Sequence, residues 1–185
     1  MPKRRRRPWW RELLETAILT IAIFLIVRVA LQNFKVEGYS MFPNLHNGEY
    51  ILVNKVDYLL HPPHRGDIIV FQATPAGAPD KDYIKRVIGL PGETVAVHNN
   101  FVWINGHKLI EPYISTLNRP AYTWGPAVVP PNDYFVLGDN RNDSADSHIW
   151  RWLPKKYIIG KAWISYWPPK QLNLFQASPH FKLST

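Results

Sequence analysis

The sequence predicts a mainly β body behind one N-terminal transmembrane helix, and three observations carry that reading. Residues 13–31 form an almost unbroken apolar run of nineteen residues. Beyond it the apolar runs shorten to roughly four to eight residues, bounded by Gly, Pro, Asn and Asp, which is the spacing of strands. Seventeen prolines and eight tryptophans in 185 residues favour strands and loops, because proline breaks helix interiors.

A chain of this length holds one ordinary domain, or one with a small inserted lobe. Its 46% hydrophobic and 14% aromatic content excludes disorder for the bulk of it. The net charge of +8 does not signal a nucleic-acid partner: half of it lies in the first sixteen residues, where Lys3, Arg4, Arg5, Arg6, Arg7 and Arg11 outnumber Glu12 and Glu15. There is no cysteine, so disulfides, thiolate metal sites and a cysteine nucleophile are excluded.

The apolar run would reach about 28 Å as a helix, close to the roughly 30 Å hydrocarbon core of a bilayer. Glu15 and Arg28 fall near its ends, and Trp9 and Trp10 stand between the arginines and the run, as interfacial aromatics do. The basic cluster stays in the cytoplasm, which predicts a single pass with everything after about residue 32 on the extracytoplasmic side of the cell membrane. A cleaved leader has a similar start, but its apolar region is shorter and ends in small residues, which Leu31-Gln-Asn-Phe-Lys35 does not supply.

Strands follow in order. Glu49–Asn54 is rich in β-formers, residues 67–72 read as a buried strand, and residues 82–89 form the next strand beyond a Pro/Gly loop. Residues 94–98 and 101–104 flank Asn99-Asn100, a tight hairpin, and Asn105-Gly106 marks a second. Glu111 to Pro131 carries five prolines without periodicity, so residues 94–131 read as a small lobe inserted into the main sheet. Tyr134–Leu137 returns to β pattern before a dense polar loop, and residues 157–167 form a long closing strand.

The polar residues narrow the chemistry. His61-Pro-Pro-His64 is the one close histidine pair, and two prolines between them read as a loop rather than a metal site. Gly89-Leu-Pro-Gly92 is too short for a phosphate cradle. Asp146, Ser147 and His148 are neighbours in one loop and do not readily converge as a triad. What is left is a serine activated by a lysine. Ser40 lies in a turn between Gly38 and Pro43, and Lys85 is embedded in Tyr83-Ile-Lys-Arg-Val-Ile-Gly-Leu90. Alternation puts Lys85 on one face with Tyr83 and Val87, and Arg86 on the other with Ile84 and Ile88, so one of the two cations should be partly buried. A lysine base must be neutral, which demands an apolar surrounding that lowers its pKa, and a hydroxyl such as Ser144 could hold the amine.

Four stretches together resemble the type I signal peptidases: Val36-Glu-Gly-Tyr-Ser40-Met-Phe-Pro43, Arg65-Gly-Asp-Ile-Ile-Val-Phe71, Asp82-Tyr-Ile-Lys85-Arg-Val-Ile-Gly-Leu-Pro-Gly-Glu93, and Gly138-Asp-Asn-Arg-Asn-Asp-Ser144-Ala-Asp-Ser147. The resemblance implies two antiparallel sheets, one catalytic and one inserted, and removal of signal peptides after small residues of Ala-x-Ala type. It implies Ser40 as nucleophile, Lys85 as general base and later acid, Ser144 as the orienting hydroxyl, and Asp139, Arg141 and Asp146 as structural members of their loop. Phe34, Val36, Met41, Leu45, Val70, Tyr83 and Ile84 would line shallow apolar pockets. Gly38 stands where some members carry a serine, so the Ser40 backbone amide beside Gly38 is expected to hold the oxyanion. His148 stands where an arginine is common, leaving the pairing of Asp146 open. The implied organisation is a basic cytoplasmic tail over residues 1–12, a transmembrane helix over 13–31, a catalytic β domain from 32–93 and 132–167, the inserted lobe at 94–131 and a C-terminal tail at 168–185. The expected partners are signal peptides of preproteins and the lipid bilayer, with no cofactor and no metal.

Overall fold

The structure, a computed structural model, describes residues 8–175. Helix α1, Trp9–Ala30, has 22 residues, none of them buried. Its most apolar eighteen-residue window has a mean hydropathy of 2.2. Thr16 and Thr20 return their hydroxyls to the carbonyls of Glu12 and Thr16, each at 2.8 Å, so the helix's internal polar atoms are met within it. The helix starts four residues before the apolar run and stops at Leu31, whose backbone is already extended (φ −121°, ψ 138°).

The chain passes straight into β1 (Leu31–Lys35), then β2 (Tyr50–Asn54), a one-turn helix α2 (Asp57–Leu60), β3 (Ile68–Gln72) and β4 (Asp82–Gly89). After these come β5 (Thr94–His98), β6 (Phe101–Ile104), β7 (His107–Lys108), β8 (Trp124–Val128) and β9 (Asp133–Leu137). A one-turn helix α3 (Ser147–Trp150), β10 (Leu153–Pro154), β11 (Ile158–Trp167) and β12 (Asn173–Leu174) complete the described chain. The protein is thus mainly β, built on two antiparallel sheets. The larger runs β1-β2-β11-β3-β4-β9-β10, and the smaller runs β7-β6-β5-β8.

Alternation explains the layering. In β3, Ile68 and Val70 enter a core with Val36, Met41, Leu45, Ile51 and Val53, while Ile69 and Phe71 enter one with Val87, Tyr134, Val136 and Leu153. A strand buried on both faces reads as the continuous apolar run seen in the sequence, and each such side chain contributes about 1.5–3 kcal/mol on burial. A third core joins the sheets: Val95, Val97, Val102 and Ile104 of the small sheet pack with Ile88, Phe135 and Leu137 of the large one.

Both expected hairpins form. Asn99 and Asn100 (φ 53° and 64°) and Asn105 and Gly106 (φ 52° and 82°) supply paired left-handed residues, the twist that two-residue hairpins need. Other elements depart from the sequence reading. β1 had no separate signal, because Leu31 reads as the end of the apolar run and Gln32, Asn33 and Lys35 leave no apolar pattern after it. β8 lies in the stretch judged aperiodic; it tolerates Pro126 because it is the edge strand of its sheet, where a missing amide costs no ladder bond. The tail beyond Pro169 is also structured in part, since β12 pairs β11 at Ile164 and Ser165 beyond the reach of β3. Residues 1–7 and 176–185, the ends of the two tails, lie outside the described residues.

Candidate active site

Ser40 and Lys85 come from different elements. β4 carries Lys85, paired across to Ile69 of β3. Ser40 sits in a compact turn after β1, shaped by Gly38, whose φ of 89° belongs to the left-handed region; its amide donates to Asn47 Oδ1 at 3.0 Å. Lys85 Nζ lies 2.8 Å from Ser40 Oγ and donates to the Ile84 carbonyl at 2.9 Å. Lys85 is 4% exposed, and no carboxylate among the described residues approaches its amine within the 4.0 Å of an ion pair. Burial pushes its pKa down from 10.5 to about 8, with the more distant charges of Asp146 and Asp139 pulling the other way.

Both cations of β4 are buried, not one. Arg86, on the opposite face, grips Asp139 with Nε at 2.8 Å and Nη2 at 2.7 Å, and its Nη1 donates to the Gly66 carbonyl at 2.9 Å. Burial alone would lower its pKa; the bidentate carboxylate raises it. Asp139 also accepts from Asn44 Nδ2 at 2.9 Å, and Asn44 donates again to the Tyr113 carbonyl at 3.1 Å. One carboxylate therefore ties the Ser40 turn to the strand of Lys85. The apolar flanks Ile84 and Ile88 were the signal that could have revealed a buried Arg86; nothing local announced Asn44.

The loop after β9 closes the site from behind. A Cβ on Gly138 would strike both Ser144 Oγ and the Ser40 carbonyl, so those two groups share the space that the glycine leaves. The Asn140 amide donates to the Ser40 carbonyl at 3.0 Å. Ser144 does not bond the amine in this structure: its Oγ is buried without a hydrogen-bond partner. Arg141, fully buried, donates to Glu111 at 2.9 and 2.5 Å and to the Gly138 carbonyl at 3.0 Å, which binds the loop to the segment leaving the small sheet.

Asp146 caps α3, accepting from the His148 amide at 3.2 Å, and pairs with His148 Nδ1 at 2.7 Å; its other oxygen accepts from the Gly138 amide at 2.9 Å. Histidine thus occupies the place of the arginine that the motif suggested. The helical turn brings Asp146 and His148 together, while Ser147 Oγ accepts from the Val136 amide at 2.9 Å on the interior side. His64, of the histidine pair, lies 4.0 Å from Asp67 through its Nδ1.

A groove of about 400 Å³ runs up to Ser40 and Lys85, lined on its apolar side by Phe34, Val36, Ile51, Val70, Tyr83 and Ile84. Met41 and Leu45, expected in these pockets, do not line it. They are 1% and 0% exposed within the core beneath. The Leu45 amide donates to the Met41 carbonyl at 2.9 Å, closing a helical turn that swings both side chains inward together.

The relatives of this chain define its class as a peptidase. The family model for signal peptidase, peptidase S26, matches residues 9–167. A signal peptidase I of Leptolyngbya laminosa is 41% identical over 174 residues, covering 89% of this chain and 85% of the relative. One from Bacillus caldolyticus is 38% identical, covering 90% and 92%. The crystal structure of a signal peptidase I from Enterococcus faecalis aligns at 32% identity and a TM-score of 0.47, covering 55% of this chain and 97% of that one. The chain belongs to the signal peptidase family, peptidase S26.

Proposed function

We propose that this protein is a membrane-anchored serine endopeptidase that removes N-terminal signal peptides from exported preproteins, with Ser40 as nucleophile and Lys85 as general base. The observation that carries the reading is the 2.8 Å approach of a dehydrated amine, uncompensated by any close carboxylate, to a serine hydroxyl. At a pKa of about 8 an appreciable fraction of the amine is neutral near physiological pH, where an ordinary lysine would hardly be.

The neutral amine takes the Ser40 proton as Oγ attacks the scissile carbonyl. The Ser40 backbone amide, beside Gly38, donates to the oxyanion. The ammonium then protonates the leaving amine, and an acyl ester remains on Ser40. Water, deprotonated by the regenerated amine, hydrolyses it. Ser144, with a buried Oγ bonded to nothing else, is the hydroxyl available to steady the amine between these steps. Asp139 and Arg141 fix the loop that backs the site.

Substrate choice follows from the groove. Its walls of Phe34, Val36, Val70, Tyr83 and Ile84 are apolar and shallow, which suits an extended peptide with small side chains before the cut, the Ala-x-Ala pattern. α1 spans the bilayer, with the arginine-rich tail cytoplasmic and the β body on the extracytoplasmic side. Ser40 follows the helix by only ten residues, so even fully extended chain keeps it within about 35 Å of the membrane. A signal peptide held in the bilayer by its apolar region presents its cleavage site at that height.

The reading is tested with the full chain in detergent and a preprotein bearing Ala-x-Ala. Wild type should release the signal peptide, and Ser40→Ala and Lys85→Met should each abolish release while their circular dichroism stays native. Cleavage by either variant overturns the dyad.

A further inference from the structure

The connection between β2 and β3 lies beside the end of α1. Asn54, the last residue of β2, pairs with Leu31, the first after the helix, and the Lys55 amide donates to the Ala30 carbonyl at 2.8 Å. From that level the connection turns back along the helix: Val56 shares an apolar cavity of about 330 Å³ with Leu25, Ile26, Val29 and Ala30. At 1.5 Å per residue, contact as far back as Leu25 lies about 7 Å below the helix end.

α2 then holds out Leu59 and Leu60, 78% and 77% exposed. Its other side chains face the domain. Tyr58 donates to Asp67 at 3.0 Å, and Asp57, the one carboxylate of the turn, lies 3.8 Å from Lys161 Nζ. Two outward leucines on a turn pinned from behind, with Val56 of the same connection lying against the last turns of an apolar helix, extend the apolar surface of that helix into one larger patch.

We infer that α2 is a second membrane contact: Val56, Leu59 and Leu60 enter the boundary between headgroups and acyl chains beside α1, at a depth usual for interfacial apolar side chains, about 5–10 Å. The occupant is lipid, because the patch continues the surface of α1. This rests on the reading that α1 spans the bilayer. One helix alone lets the domain swivel about its axis; a second contact fixes that rotation and holds the groove at one height and facing.

The absence of cysteine makes the test direct. Full-length Leu59→Cys and Leu60→Cys, each carrying one nitroxide, are placed in phospholipid vesicles beside labelled Leu25→Cys and Leu117→Cys. Labels at 59 and 60 should relax more with oxygen than with a water-soluble nickel chelate, as at 25, and reverse the ratio found at 117. If 59 and 60 follow 117 while 25 stays lipid-like, the second contact is overturned and the span stands. A water-exposed label at 25 overturns both.

Discussion

Lys85 and Arg86 are consecutive, buried to nearly the same degree, and opposite in fate. Alternation sends them to different faces of β4. On one face Arg86 meets a carboxylate that matches its two-pronged geometry, and its charge is held more firmly than in water. On the other, Lys85 meets a hydroxyl, a carbonyl and apolar walls, and its proton is loosened. Burial alone does not make a base. The difference is the counter-ion, supplied to the cation that braces the site and kept at a distance from the one proposed as the base.

Removing the counter-ion is the harshest test of that contrast. Asp139→Ala strands a buried guanidinium and frees Asn44, and should cost about 3–5 kcal/mol, read as a large fall in the urea midpoint. Removing the uncompensated cation should do the reverse. Lys85 binds its proton less tightly folded (about 8) than unfolded (10.5), so its presence destabilises the fold below pH 8, and that penalty fades as pH climbs from 8 to 10.5. A displacement of this size is worth on the order of 3 kcal/mol at neutral pH. Lys85→Met, similar in volume, should therefore unfold at higher urea than wild type at pH 7, with the two midpoints converging by about pH 10.5. Equal midpoints at pH 7 would mean that the amine is hydrated.

The same contrast marks what the sequence could reveal. Short apolar runs bounded by turn residues exposed β2, β3, β4, β5, β6, β9 and β11, and a lysine between apolar residues offered a candidate base, because both are local signals. Arg86 carried the same apolar flanks, yet its burial depended on Asp139, fifty-three residues away, and no local pattern encodes such a pairing. Met41 and Leu45 were expected in the pockets through the resemblance alone, and their inward placement follows from the turn that the Leu45 amide closes on the Met41 carbonyl, which no local pattern announces. β1 and β12 are short and owe their conformation to β2 and β11, strands remote in sequence or already fully described by other signals. His148 shows how the geometry of a cap can bring neighbours together when a loop would hold them apart.

The smallest predicted effect probes the distance at which the carboxylates act. Asp146 and Asp139 both draw the pKa of Lys85 upward against the larger effect of burial, Asp146 the more strongly. Asp146→Asn removes that charge while its amide oxygen can still accept from the Gly138 amide, at the expense of a hydrogen bond from the His148 backbone. In wild type, kcat/KM for a peptide substrate should rise with pH to a plateau, with its inflection near 8, since the free enzyme's base must lose a proton. In Asp146→Asn the inflection should move to lower pH, leaving a larger neutral fraction at pH 7 and the same plateau. A lower plateau with an unmoved inflection would mean that Asp146 acts by holding Gly138, and through it the Ser40 carbonyl, rather than by its charge. In that case the contrast between a bracing cation and a loosened one would depend on Asp139 and burial alone.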